Sequence, residues 1–289
     1  MIIALAAICT NAQESSFYFS LYGGLGVDIA PGKISLRSDN IRYINNGDST
    51  TYQSNFKEVD NNFGKGARFG FTLGTRITKA IPGLCFQVSV FKKFKSTLAY
   101  ESYKNETYEY YMNFFVNQKT IEQFTGSAIF INPALVIRSE TGKIKPYMKL
   151  GALLMFSTLE SDITLNGSTN ITNYYPTFGA YQKFEFETDP SWGADFGLGT
   201  TLSLTDGLSA FGEIDFQYIK TWPTKRTMVE YTEQGSDKLS SLTVSQKETE
   251  FVDEFDTNWK DNPNQPSKDL KPSVTFNSLS INAGIIYSF

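Results

Sequence analysis

Glu213 and Asp215 stand two residues apart in LSAFGEIDFQYIK, so in a strand they project to one side. Two carboxylates so placed could form an acid/base pair or hold a cation. Asp195 is a third acid, and Arg68, Arg76, Arg138 and Lys149 are the cations that share its setting, one charge at a time among Gly, Ser and Thr. The 289 residues contain no histidine. That rules out a Ser-His-Asp arrangement and removes the side chain that most readily exchanges protons near neutral pH. A buried charge must find a partner, so these acids and bases are expected to neutralise one another as a network. No catalytic residue, metal site or cofactor is expected. GGLG at 23–26 has no helix after it and is not a phosphate loop.

The elements that carry these charges are strands. The chain ends in SINAGIIYSF, where Phe289, Tyr287, Ile285, Ala283, Ile281 and Leu279 share one parity. Ser288, Gly284, Asn282 and Ser280 hold the other, with Ile286 an intruder. Period two marks a strand with one apolar face. Segments 16–28, 66–78, 145–158, 191–204 and 208–220 repeat the pattern, as do stretches starting at Leu84 and near 124–138, which makes eight strands with 275–289. Pro133 falls inside the fourth and predicts a local bulge, since a central strand needs its N–H.

Connections alternate in length. KAIPG, ETGK and TDG are tight turns. The others, roughly 29–65, 96–123, 159–190 and 221–274, far exceed the usual loop and all emerge at one end. The second, YESYKNETYEYYMNFFVNQ, reads either as an adhesive aromatic surface or as strand extensions whose rings pack on each other. In the fourth, TMVEYTEQGSDKLSSLTVSQKE reads as a hairpin outside the barrel, or as two further strands of a ten-stranded one.

Eight up-and-down strands close into a barrel, either a soluble lipocalin-like one with its apolar face inside or a membrane one with that face outside. The polar parity decides between them. It is glycine-rich with isolated charges of both signs, which suits a crowded lumen and not a solvated surface. The apolar parity is nearly free of charge over about the length that crosses a bilayer at a tilt. Phe17, Phe19, Trp192, Tyr218, Tyr287 and Phe289 mark its ends, as aromatic girdles do. The expected fold is therefore all-β: an eight-stranded antiparallel up-and-down transmembrane β-barrel with four long extracellular loops and three short periplasmic turns.

MIIALAAICTNAQ reads as a signal peptide over residues 1–12, with the barrel domain over 13–289. Cys85 is the one cysteine after that cut, so no disulfide framework is expected and the thiol is read as packing. A net charge of −4 gives no case for nucleic acid.

On these features the chain resembles the small OmpA/OmpX-like, porin-like outer-membrane β-barrels of Gram-negative bacteria. The resemblance covers residues 14–289 and rests on architecture and on the terminal strand. It implies that Phe289, Tyr287, Ile285, Ala283 and Ile281 form an insertion signal read by the outer-membrane assembly machinery. It also implies outer-membrane localisation and outer-membrane lipids as partners. The expected function is structural or surface-interacting, through adhesive or ligand-binding loops above a plugged narrow lumen. The alternatives are a narrow pore for ions or small solutes, and a soluble exported binder.

Overall fold

The computed structural model describes residues 17–29, 33–44, 49–77, 81, 83–108, 114–170, 177–254 and 262–289, with backbone alone over 33–44, 49–60, 105–108, 114–115 and 170. The leader expected at residues 1–12 lies outside them. Eight strands form the barrel: β1 (Phe17–Asp28), β2 (Gly66–Arg76), β3 (Leu84–Tyr108), β4 (Phe114–Arg138), β5 (Ile144–Asn170), β6 (Ser191–Thr205), β7 (Leu208–Thr221) and β8 (Ser278–Ser288). Each pairs antiparallel with the next. The terminal strand β8 pairs with β1 from Tyr18↔Ser288 to Asp28↔Ser278. Closure leaves no row of unpaired backbone groups, the condition for a sheet to sit in hydrocarbon. Pro223–Glu233 pairs with Thr177–Thr188 and stays out of the barrel ladder, so the barrel has eight strands and not ten.

The two parities separate as expected. Phe71, Phe196 and Ile285 point outward and are exposed, as are Leu150 at 63% and Ile281 at 68%. Val88 and Leu154 share that face but are half-covered by their neighbours. Trp192, Tyr218 and Trp222 ring one end of this apolar belt, and Phe17, Tyr287 and Phe289 the other.

The ladder departs from expectation at two places. It runs through Pro133 without a register shift, with Val88 opposite Pro133 on one side and Ile131↔Leu154 and Ala134↔Gly151 in step on the other. The bulge lies instead on β3, between Lys93 and Ser96. One extra residue there flips every later side chain to the other face. Below it Cys85, Ser89, Phe91 and Lys93 point inward; above it Leu98 and Tyr100 do.

Much of what the sequence suggested as loop is strand. β3, β4 and β5 run for 25, 25 and 27 residues, against about 9–11 needed to cross a bilayer. Their upper halves project past the belt at the long-loop end. There β5 pairs with Thr177–Thr188, which pairs in turn with Pro223–Glu233, then Glu248–Val252, then in parallel Ser267–Leu270. A hairpin of Lys33–Ile44 and Ser49–Asp60 lies on the other flank, its Asp39–Tyr43 parallel to Lys104–Tyr108 of β3. The turn at Gln234–Gly235 has φ of 51° and 76°, a left-handed pair that suits a tight hairpin.

Candidate functional site

The lumen is the place where the chemistry-bearing side chains meet, and it is built in layers. Nearest the short turns, Tyr18, Cys85, Val136 and Ile286 pack together. Ile286, the residue that broke the alternation of the last strand, is thereby an inward packing group. The Arg138 guanidinium lies over the Tyr18 ring at 4.9 Å and donates to Cys85 Sγ at 3.5 Å. Arg76 pairs with Glu140 of the adjoining short turn, apart from the other lumen charges.

Above this layer Lys149 Nζ contacts three carboxylates: Glu213 Oε1 at 2.8 Å, Asp215 Oδ1 at 2.9 Å and Asp195 Oδ2 at 3.1 Å. Arg68 Nη1 reaches Asp215 Oδ2 at 3.2 Å, and its Nη2 donates to Ser278 Oγ at 2.7 Å. Neutral side chains complete the shell. Asn132 donates to Asp195 at 2.5 Å, Tyr147 to Glu213 at 3.0 Å, and Asn282 to Glu213 at 3.3 Å. The local sequence explains why these groups can meet. On β6, Gly197 is flanked by Lys149 on β5 and Asp215 on β7. A Cβ on Gly197 would lie 2.9 Å from Lys149 Cε and 3.1 Å from the Glu213 carboxyl carbon, so the missing side chain is the space that the ion cluster occupies. A cavity of about 40 Å³ between Lys149 and Arg138 has room for only a few water molecules.

The next layer is apolar, which sequence reasoning missed. Phe91, Phe130, Leu153, Met155 and Ile219 all point inward and are at most 3% exposed. The Phe91 and Phe130 rings stack at 4.7 Å, and the Arg68 guanidinium lies 5.5 Å from the Phe91 centroid. The signal was available: each of these is an apolar residue on the parity that otherwise holds Gly, Ser and charge.

Two loop segments close the top of this layer. Asn61–Gly64 folds inward beside Thr275–Asn277. Phe63, 2% exposed, packs on Phe276 at 5.6 Å. Asn62 Nδ2 donates to the Asn277 carbonyl at 2.8 Å and its Oδ1 accepts from Gly64 N–H at 2.9 Å. Asn277 Oδ1 in turn accepts from Ile219 N–H at 2.8 Å, which ties the cap to β7. A Cβ on Gly64 would lie 1.7 Å from the Asn277 carbonyl oxygen, so the close approach requires glycine.

The arrangement inverts a soluble barrel: the ion cluster and its hydrogen bonds lie inside, the outward face is mainly apolar, and the eight-strand ladder closes on itself. The chain is a transmembrane β-barrel. No family model matches it, and no curated protein does. Among solved structures it is similar to Neisserial surface protein A, at 11% identity over 96% of this chain and 100% of that one, with a TM-score of 0.35. It is also similar to the outer-membrane expressed OmpT of Vibrio cholerae, at 10% identity over 96% and 99%, with a TM-score of 0.14. At such values the fold rests on the ladders and faces themselves. No helix among the described residues is long and apolar enough to cross a membrane.

Proposed function

We propose that the protein is an outer-membrane β-barrel with a closed lumen, whose working surface is the strand-built extension at the long-loop end. Its role is structural or surface-interacting and not catalytic. The observation that carries this reading is the series of ion cluster, apolar layer and loop cap across one narrow lumen. An eight-stranded interior is just wide enough for side chains, and here large ones point into it. The carboxylates that could serve an acid/base role are committed to Lys149 and Arg68. The terminal strand suits an assembly signal: Ile281, Ile285, Tyr287 and Phe289 are all presented outward, with Tyr287 and Phe289 rings 5.9 Å apart. Outer-membrane lipids and the barrel-assembly machinery are the partners this implies.

Orientation is the part most open to a direct test. Lys238 lies just past the Gln234–Gly235 turn at the far end of the extension, and Lys143 lies in the short β4–β5 turn; both are exposed. A membrane-impermeant amine reagent should label Lys238 in intact cells and Lys143 only after the outer membrane is permeabilised. The reverse pattern would overturn the assignment of the extension as the outer surface.

A further inference from the structure

Above the cap the strand extension encloses a cavity of about 230 Å³ whose walls are mostly apolar. Phe63 of the cap lies at its base. Its side is a run of rings in sequence: Tyr100 to Phe124 at 5.9 Å, Phe124 to Phe186 at 6.1 Å, and Phe186 to Phe251 at 6.3 Å and 5° from parallel. The rim carries Asp269 and Leu270, both exposed. An apolar cavity of about 150 Å³ is enough to take up benzene. This one has room for a ring with a short chain.

Besides Asp269 at the rim, Arg226 and Asn61 break the apolar wall, and each has one polar atom without a partner. Arg226 Nε is buried without an acceptor among the described residues, and Asn61 Oδ1 is buried without a donor. The rest of each side chain is fixed. Arg226 Nη2 donates to Thr249 Oγ1 at 3.2 Å while its guanidinium lies over Phe184 at 4.7 Å, and Asn61 Nδ2 donates to the Ser273 carbonyl at 2.6 Å. Glu122 and Asp269 act on Arg226 through space without a hydrogen bond to it: Glu122 accepts from Ser161, and Asp269 from Leu270 N–H. A held guanidinium with a free N–H at an aromatic cavity suits an apolar body with one acidic head. Its carboxylate would accept from Nε, while Asn61 Oδ1, itself an acceptor, would be met by a donor such as a water carried in with the ligand.

We propose that this cavity binds a small monocarboxylate with an aromatic or short aliphatic body. The proposal deepens the surface-interaction reading by naming its ligand class. Its binding test in detergent does not depend on orientation in the cell, so the two can fail separately.

The test is calorimetric titration of the purified full-length barrel in detergent with 3-phenylpropanoate, 3-phenyl-1-propanol and 3-phenylpropylamine. The acid should bind about tenfold or more tightly than the alcohol or the amine, as a charge-assisted hydrogen bond implies. Arg226→Gln should erase the preference and leave acid and alcohol equal. Val274→Phe, which fills the cavity from the cap side, should abolish binding of both while the heat-dependent gel mobility of a folded barrel is kept. If Arg226→Gln does not fold, the wild-type preference and the Val274→Phe result decide alone. Absence of acid binding, equal binding of acid and alcohol to the wild type, preference for the amine, or unchanged binding by Val274→Phe would each overturn the proposal.

Discussion

The rings of Phe91 and Phe130 lie 4.7 Å apart and 9° from parallel inside the barrel, on adjacent strands at a directly paired position. The Arg68 guanidinium that pairs with Asp215 lies 5.5 Å from the Phe91 centroid, so apolar packing adjoins the ion cluster directly. Phe130→Ala would leave a ring-sized void in a layer that includes Leu153 and Met155, both fully buried. The expected loss is about 3–5 kcal/mol, read from urea unfolding in detergent micelles. Adding Phe91→Ala should cost less than the sum of the two, because each ring packs on the other. Additive losses would show that the rings do not share a layer.

The two ion-pair sites should respond very differently to the same change. Lys149→Met leaves Glu213, Asp215 and Asp195 facing one another with only Arg68 beside them, and should cost about 3–5 kcal/mol. Arg76→Met breaks a half-exposed pair with Glu140 and should cost at most about 1 kcal/mol. Equal losses would place both cations in the same environment.

How far the molecule was legible depends on which side of the bilayer belt a residue occupies. Within the belt, alternation is enforced by lipid on one side and a crowded lumen on the other, so Phe71 and Arg68 separate on sight. Past the belt the outward face meets water, and Thr97, Glu101 and Tyr103 are outward on β3 with no apolar pattern to report them. The Lys93–Ser96 bulge compounds this by moving Leu98 and Tyr100 to the inner face, so the period read from Leu84 onward no longer applies. The cap was not legible because it joins Asn62 to Asn277, 215 residues apart, through side-chain amides and a glycine. The ion cluster was partly legible: Arg68, Lys149, Asp195, Glu213 and Asp215 meet, Arg138 and Arg76 lie elsewhere, and the neutral partners Asn132, Tyr147 and Asn282 carried no sign of their role.

Glu122 stands in the extension, where burial raises its carboxyl pKa against the opposing effects of the Ser161 hydrogen bond and of Arg226. A carboxyl raised on folding contributes stability at low pH that is lost as pH rises through its folded value. Glu122→Gln removes that loss. The urea midpoint of the variant minus that of the wild type should therefore grow from about pH 4.3, the ordinary glutamate value, toward neutrality. A difference that is flat or falls with pH would mean that the carboxylate is stabilised where it sits.

Phe289 donates its backbone N–H to the Phe17 carbonyl at 3.0 Å while its ring is 67% exposed. So exposed a ring contributes about 1–2 kcal/mol at most to the folded state. Deleting Phe289 should leave refolding into detergent nearly normal, while insertion in cells drops sharply and protein accumulates in the periplasm. Equal losses in both assays would make the residue a packing element, and normal insertion would remove its role as an assembly signal.

The most direct test of the account is the conductance of the purified full-length protein in a planar bilayer. With Lys149 bound to three carboxylates, Phe91 and Phe130 stacked above them, and Phe63 seated on Phe276 at the top, no water-filled path is expected through the lumen. The membrane current should stay at the level of a protein-free bilayer at either polarity, with the barrel shown to be inserted and folded. Discrete, long-lived conductance steps from the wild-type protein would contradict a closed lumen and establish the narrow-pore alternative in its place.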